Sequence, residues 1–286
     1  MPLNFDYPTQ LKNKLDGFRP LRPLEVEKVR EIERVEEIYS SNALEGNTLT
    51  IYETQMILDE GITIAGKSLR EHLEVINLNS AIEYVEDLVK GKHSLNERTL
   101  KELHYLVYNH LDRNKSYAGE YRNVGVRILG SKHVPPEPYL IQERMNEFFE
   151  WNKNNQDALH PIEYAALLHE KFVTIHPFVD GNGRTARLLM NFALTRNGYP
   201  PIFIKPDKEN RTAYNKALEN VNVNGDTEPF IKLVQMRVEE KLEKMVKVLE
   251  YANSKDPSEH EKFLKEMEKK HGQKKLNRNK NQELDR

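Results

Sequence analysis

Apolar residues recur every three to four positions along most of this chain, a period that can be buried only by packing helix against helix. After Pro20 and Pro23, the stripe Val26, Val29, Ile32, Val35 and Ile38 predicts a helix. It runs into Ser41-Asn42-Ala43-Leu44-Glu45, with Gly46 as a natural stop. Further helical patterns are expected around 51–60, 69–90, 96–107, 138–154, 161–174, 184–197, 208–222 and 228–250. The one clear strand signal is Val124-Gly125-Val126-Arg127-Ile128-Leu129, followed by Gly130-Ser131 and then His133-Val134-Pro135-Pro136. A short hairpin is the simplest reading, with the proline pair preventing further sheet growth. The expected fold is therefore all-α with one short β-hairpin. Three regions are expected: 1–65 with a helix at about 26–46, a core domain over 66–250, and a charged tail over 251–286. The tail ends Lys274-Lys275-Leu276-Asn277-Arg278-Asn279-Lys280, and its last fifteen or so residues read as disordered.

Charge and composition narrow the function classes. Lys+Arg number 43 against 45 Asp+Glu, whereas a nucleic-acid partner usually calls for a basic excess. No nucleic acid is expected. Cysteine is absent, which excludes disulfides, thiolate zinc sites and a thiol nucleophile. No apolar run reaches the length of a membrane span, and Met1 to Asp6 do not resemble a signal peptide. The expectation is a cytoplasmic protein with no membrane partner, and a homodimer is left open.

The stretch His176-Pro177-Phe178-Val179-Asp180-Gly181-Asn182-Gly183-Arg184-Thr185-Ala186-Arg187 joins two predicted helices through a Gly-Asn-Gly turn. Glycines there let successive backbone N–H groups converge on an anion at a helix N-terminus. Arg184 and Arg187, three apart, lie on neighbouring parts of the first turn. Cations there oppose the helix dipole, so two arginines make sense with a polyphosphate between them. Asp180 offers a hard oxygen ligand for Mg²⁺, and His176 a base that can be neutral near pH 7.

This stretch matches the Fic motif, His-Pro-Phe-x-Asp/Glu-Gly-Asn-Gly-Arg-x-x-Arg, at every defined position, and the chain resembles that family over roughly residues 25–240. The resemblance implies transfer of AMP from ATP to a Ser, Thr or Tyr hydroxyl of an unknown target protein, with Mg²⁺ or Mn²⁺. It implies that His176 deprotonates the hydroxyl and Asp180 holds the metal. Gly181, Asn182 and Gly183 cradle the phosphates, with Thr185 beside them, and Arg184 and Arg187 bind the outer ones. Tyr214 and Asn222 match positions on the adenine side, with Asn224 a rival to Asn222. The turn Gly130, Ser131, Lys132 and His133 resembles the family's flap, which holds a target by strand addition. Ser41, Glu45 and Gly46 match the inhibitory motif Ser/Thr-x-x-x-Glu-Gly/Asn. That match implies a carboxylate occupying Arg187 in place of the γ-phosphate. Gly183 is intact, which favours AMP transfer over phosphorylation. Removal of AMP, alone or beside its transfer, stays open.

Two other signals compete. Gly61-Ile62-Thr63-Ile64-Ala65-Gly66-Lys67-Ser68 fits a P-loop pattern, the mark of an NTPase, although a P-loop needs a strand before it and residues 52–60 read as helix. His169-Glu170 begins like a zincin motif, but Val173 stands where the second histidine belongs.

Overall fold

In a computed structural model the protein is described over residues 3–18, 23–111, 117–128 and 130–253. Ten α-helices follow in chain order among these residues: α1 (Asp6–Asp16), α2 (Pro23–Leu44), α3 (Ile51–Glu60), α4 (Leu69–Lys90), α5 (Glu97–Tyr108), α6 (Ile141–Asn155), α7 (Pro161–Ile175), α8 (Asn182–Arg196), α9 (Lys208–Asn224) and α10 (Glu228–Asn253). The side chains of Val26, Val29 and Ile32, and the tail from residue 254, lie outside what is described.

Local chemistry sets several boundaries. Thr50 and Ser68 each close a capping box, with Glu53 and Glu71 at the third helical position, and so start α3 and α4. Asn96 and Asp207 accept backbone N–H groups at the heads of α5 and α9. Pro161 opens α7, where its missing donor costs nothing.

Helix α8 is the centre of the molecule. Every residue from Arg184 to Leu194 is buried, so this stretch of the helix has no solvent face. Its most extensive partner is α7, which contributes Ala165, Leu168 and Phe172, and α2, α4 and α5 pack around it too. Helix α10 packs along α7, and α1 lies on α10. The sequence reading lacked α1. Phe5 ahead of it stacks on His160 at 4.3 Å, Tyr7 donates to Glu243 and Lys14 pairs with Glu250.

The expected hairpin is a correction. Among the described residues no strand forms between Val124 and Pro136. The Ser131 N–H donates to the Ile128 carbonyl and closes a turn, but no ladder extends from it. Arg122 supplies the reason. Its guanidinium takes the Val124 carbonyl at 3.0 Å and the Pro136 carbonyl at 2.6 Å, and Pro135 and Pro136 have no N–H to donate. The arginine thus replaces cross-strand bonds, and an isolated two-stranded ribbon is marginal in any case.

Candidate active site

The tail of α7, the head of α8 and the end of α2 converge on one point. His176 terminates α7 in a left-handed conformation (φ 52°, ψ 56°), which turns the chain into the loop that opens α8. Its carbonyl accepts from Arg122 Nε at 2.8 Å, and the Pro177 carbonyl accepts the Arg122 N–H at 2.9 Å. One buried arginine therefore clips the flap segment to the loop. His176 Nδ1 faces the Val173 carbonyl at 3.4 Å, which can only accept, so Nε2 is left with its lone pair. Burial pushes the His176 pKa down to about 4, with Arg122 and His133 adding to the shift and the Val173 carbonyl and Glu45 opposing it. The ring is neutral at physiological pH.

Asp180 Oδ1 accepts the Gly181 N–H at 2.6 Å, and Oδ2 pairs with Arg70 at 2.6 Å. Burial alone would raise its pKa. Arg184, the Gly181 N–H and Arg70 together hold it below the usual value. Gly181 caps α8 with φ 78°, where a side chain would be strained. The Asn182 amide both accepts from the Phe178 N–H (3.0 Å) and donates to the Phe178 carbonyl (2.9 Å). Its side chain thus shapes the loop ahead of α8.

Arg184 is 2% exposed. It lies 3.4 Å from Glu74 and 3.8 Å from Asp180, while its Nε and Nη1 have no hydrogen-bond partner among the described residues. Thr185 is wholly buried, and its hydroxyl makes no hydrogen bond to a described residue.

Helix α2 meets α8 in a regular antiparallel register. Glu37, Ser41 and Glu45 occupy one face at intervals of four, and Asn191, Arg187 and Gly183 face them at the same interval. Asn191 donates to Glu37 at 2.7 Å. Arg187 donates through Nε to the Ser41 hydroxyl at 2.8 Å. Its Nη2 reaches the Ser41 carbonyl at 2.9 Å and Glu45 Oε1 at 2.8 Å. Tyr214 also interacts with Arg187, and its hydroxyl lies 2.9 Å from His169 Nε2. A carboxylate 142 positions away therefore holds the second arginine of the loop.

Thr174, near the end of α7, links the adenine-side candidate Asn222 to the flap candidate His133. Asn222 accepts the Thr174 hydroxyl at 2.8 Å, and His133 Nε2 donates to the Thr174 carbonyl at 2.8 Å. Asn224 instead donates to Asn220 at the exposed end of α9. Ser131 accepts the His133 N–H, Lys132 is exposed, and Gly46 and Gly130 take left-handed turns. The P-loop pattern spans a helix-to-helix turn. Gly61 ends α3, Ser68 caps α4, and Lys67 is spent on the Thr48 carbonyl and hydroxyl. Sequence reasoning missed Arg70, Glu74, Arg122 and His104. His104 donates to the Asp180 carbonyl at 2.9 Å and stacks on Phe178 at 3.6 Å. No local pattern marks any of the four, because each meets the loop from a distant helix or connection.

Fold and site together define an all-helical domain built around the buried helix α8 and the loop that opens it. The chain belongs to the Fic family. Residues 94–194 match the Fic/DOC family. A fragment of Fic-1 from C. elegans is 31% identical and superposes with a TM-score of 0.75, covering 86% of this chain and 73% of that one. A Fic domain containing signaling protein from Bacteroides thetaiotaomicron is 30% identical with a TM-score of 0.78, covering 88% of this chain and all of that one. The protein adenylyltransferase Fic of Nematostella vectensis is 44% identical over 199 residues, which are 69% of this chain and 45% of the relative. The match thus spans under half the length of that curated relative.

Proposed function

We propose that this chain transfers AMP from ATP to a protein hydroxyl and that Glu45 restrains the transfer. The observation that carries the reading is Arg184, an almost fully enclosed cation at the head of α8 whose Nε and Nη1 make no hydrogen bond to any described residue, with Glu74 only in ion-pair range of Nη1 at 3.4 Å. Unmet donors on a buried cation are costly, and phosphate oxygens answer them with charge-assisted bonds. In the reaction the target oxygen bonds to the α-phosphorus, the bond to the bridging oxygen of the β-phosphate breaks, and pyrophosphate departs. The hydroxyl proton passes to His176 Nε2, a role typically worth about 10² to 10⁴ in rate.

Among the described residues no three His, Asp or Glu side chains group as a metal site. Asp180 is one carboxylate, 41% exposed at its side chain and held beside the α8 N-terminus. That suits Mg²⁺, which typically takes one or two carboxylates and completes its shell with water and substrate phosphates. Asp180 would hold it, and the ion when bound neutralises phosphate charge.

Glu45 supports the restraint because the arginine it occupies is the one the motif assigns to an outer phosphate. Its side chain is 38% exposed and acts on His176, which also supports a second use, the placing of a water for removal of AMP. The test is labelling with radioactive ATP and Mg²⁺. Glu45→Gly should raise protein labelling about ten-fold, the equivalent of one partly screened charge-assisted bond. Adding His176→Ala should return it to background. Persistent labelling in the double variant at above a tenth of the Glu45→Gly rate would falsify the role of His176.

A further inference from the structure

We propose that Tyr214 and His169 are positioning residues that hold Arg187 in the setting from which it meets a phosphate, whether or not Glu45 is in place. The inference rests on the reading of Arg187 as the outer-phosphate contact. Three of the bonds made by Arg187 go to Ser41 on α2 and to Glu45 just past its end. When the carboxylate leaves, the contacts with Ser41 and with Tyr214, on α9, remain, and Tyr214 alone among them approaches from outside α2.

Hydrogen polarity explains why a histidine stands behind that tyrosine. A guanidinium has only donors, so the Tyr214 oxygen must present a lone pair to Arg187 and send its own hydrogen elsewhere. The acceptor is His169 Nε2, 2.9 Å away. That geometry requires the Nδ1–H tautomer of a neutral imidazole. A protonated His169 would offer a donor instead and turn the tyrosine hydrogen toward the arginine. The site keeps the ring neutral. His169 is 0% exposed, and burial, with Arg187 nearby, pushes its pKa down to about 3. Phe230, itself 1% exposed, packs at 4.9 Å from the His169 ring and 6.0 Å from the Tyr214 ring.

Calorimetric titration in the Glu45→Gly background tests the pair, with ATP and ADP compared because only ATP carries the γ-phosphate. Tyr214→Phe should weaken ATP about ten-fold, one hydrogen bond to a charged group, and ADP less than three-fold. His169→Leu should do the same, and His169→Gln, whose amide oxygen accepts the tyrosine hydrogen, should restore much of the difference. Arg187→Ala in the same background marks the underlying reading. If it leaves the ATP-to-ADP ratio unchanged, the outer-phosphate role fails and this proposal with it. If Arg187→Ala collapses the ratio while Tyr214→Phe weakens both nucleotides equally or neither, the positioning role alone is overturned. Tyr214→Phe keeps the ring that fills the core, so the test does not depend on whether His169→Leu folds.

Discussion

A methyl group placed on Gly183 would lie 2.3 Å from Glu45 Oε1 and 3.2 Å from Arg187 Nη1. No backbone conformation demands a glycine here. The demand is space, created by a carboxylate lying over the first turn of α8. Glu45 is the far end of a flexible, partly exposed side chain, so in Gly183→Ala it should yield before the helix does. The expected cost is about 1 kcal/mol in the wild-type, the loss of one screened ion pair, and near zero in the Glu45→Gly background. A double-mutant cycle on urea midpoints reads the coupling. Equal costs in both backgrounds would show that the glycine serves some other contact. This is also the scale at which the sequence was most legible. His176, Asp180, Gly181, Gly183, Arg184 and Arg187 fall within twelve positions, so a turn between two helices suffices to gather them. Arg70 and Arg122 were illegible for the opposite reason. Asp180 meets Arg70 across 110 positions, and the His176 carbonyl meets Arg122 across 54.

Helix α2 shows what a single element adds. Glu37 sits two turns before Glu45, on the face turned to α8. Enclosure raises its pKa from 4.5 to about 7; the Asn191 amide, Lys241 and Arg34 pull the other way and Glu86 pushes with it. The docked helix therefore favours the protonated carboxyl. Its contribution is fully present below about pH 4.5 and is lost as pH rises through about 7. Stability measured from pH 5 to 8 should fall more steeply for the wild-type than for Glu37→Gln, which stays neutral throughout. Identical profiles would remove Glu37 as the source. Periodicity made most helices readable, since α3, α4 and α7 to α10 are stripes bounded by caps and breakers. It failed for α1, which has no side-chain cap and buries only Pro8 and Leu15, so its place depends on α10 and His160. It also overstated the flap. Alternating valines favour extended backbone, but pairing was decided by Arg122, to which the alternation is blind.

At the scale of the molecule, the question is whether the proposed restraint by Glu45 would be released by a helix or by a side chain. Helix α2 is fixed on several sides. Arg34 meets Glu83 and Glu86 on α4, Glu33 meets Lys241 on α10, Arg211 of α9 holds the Ala43 carbonyl, and Ile38 is 0% exposed. Undocking the helix forfeits all of these at once, with Ile38 alone contributing roughly 1.5–3 kcal/mol. Freeing Glu45 forfeits one 2.8 Å pair at a side chain already 38% exposed. The smaller cost wins, so under that proposal α2 is a fixed arm and only the turn carrying Glu45 at its end is the latch. Hydrogen exchange at constant pH separates the two. In Glu45→Gly, amides 42–48 should exchange faster, whereas amides 33–41 should stay within about two-fold of wild-type, because local opening leaves the rest of the helix protected. Acceleration of both segments by the same factor would mean that α2 leaves as a body. Tyr214 and His169 would then be what keeps Arg187 in place while it is gone.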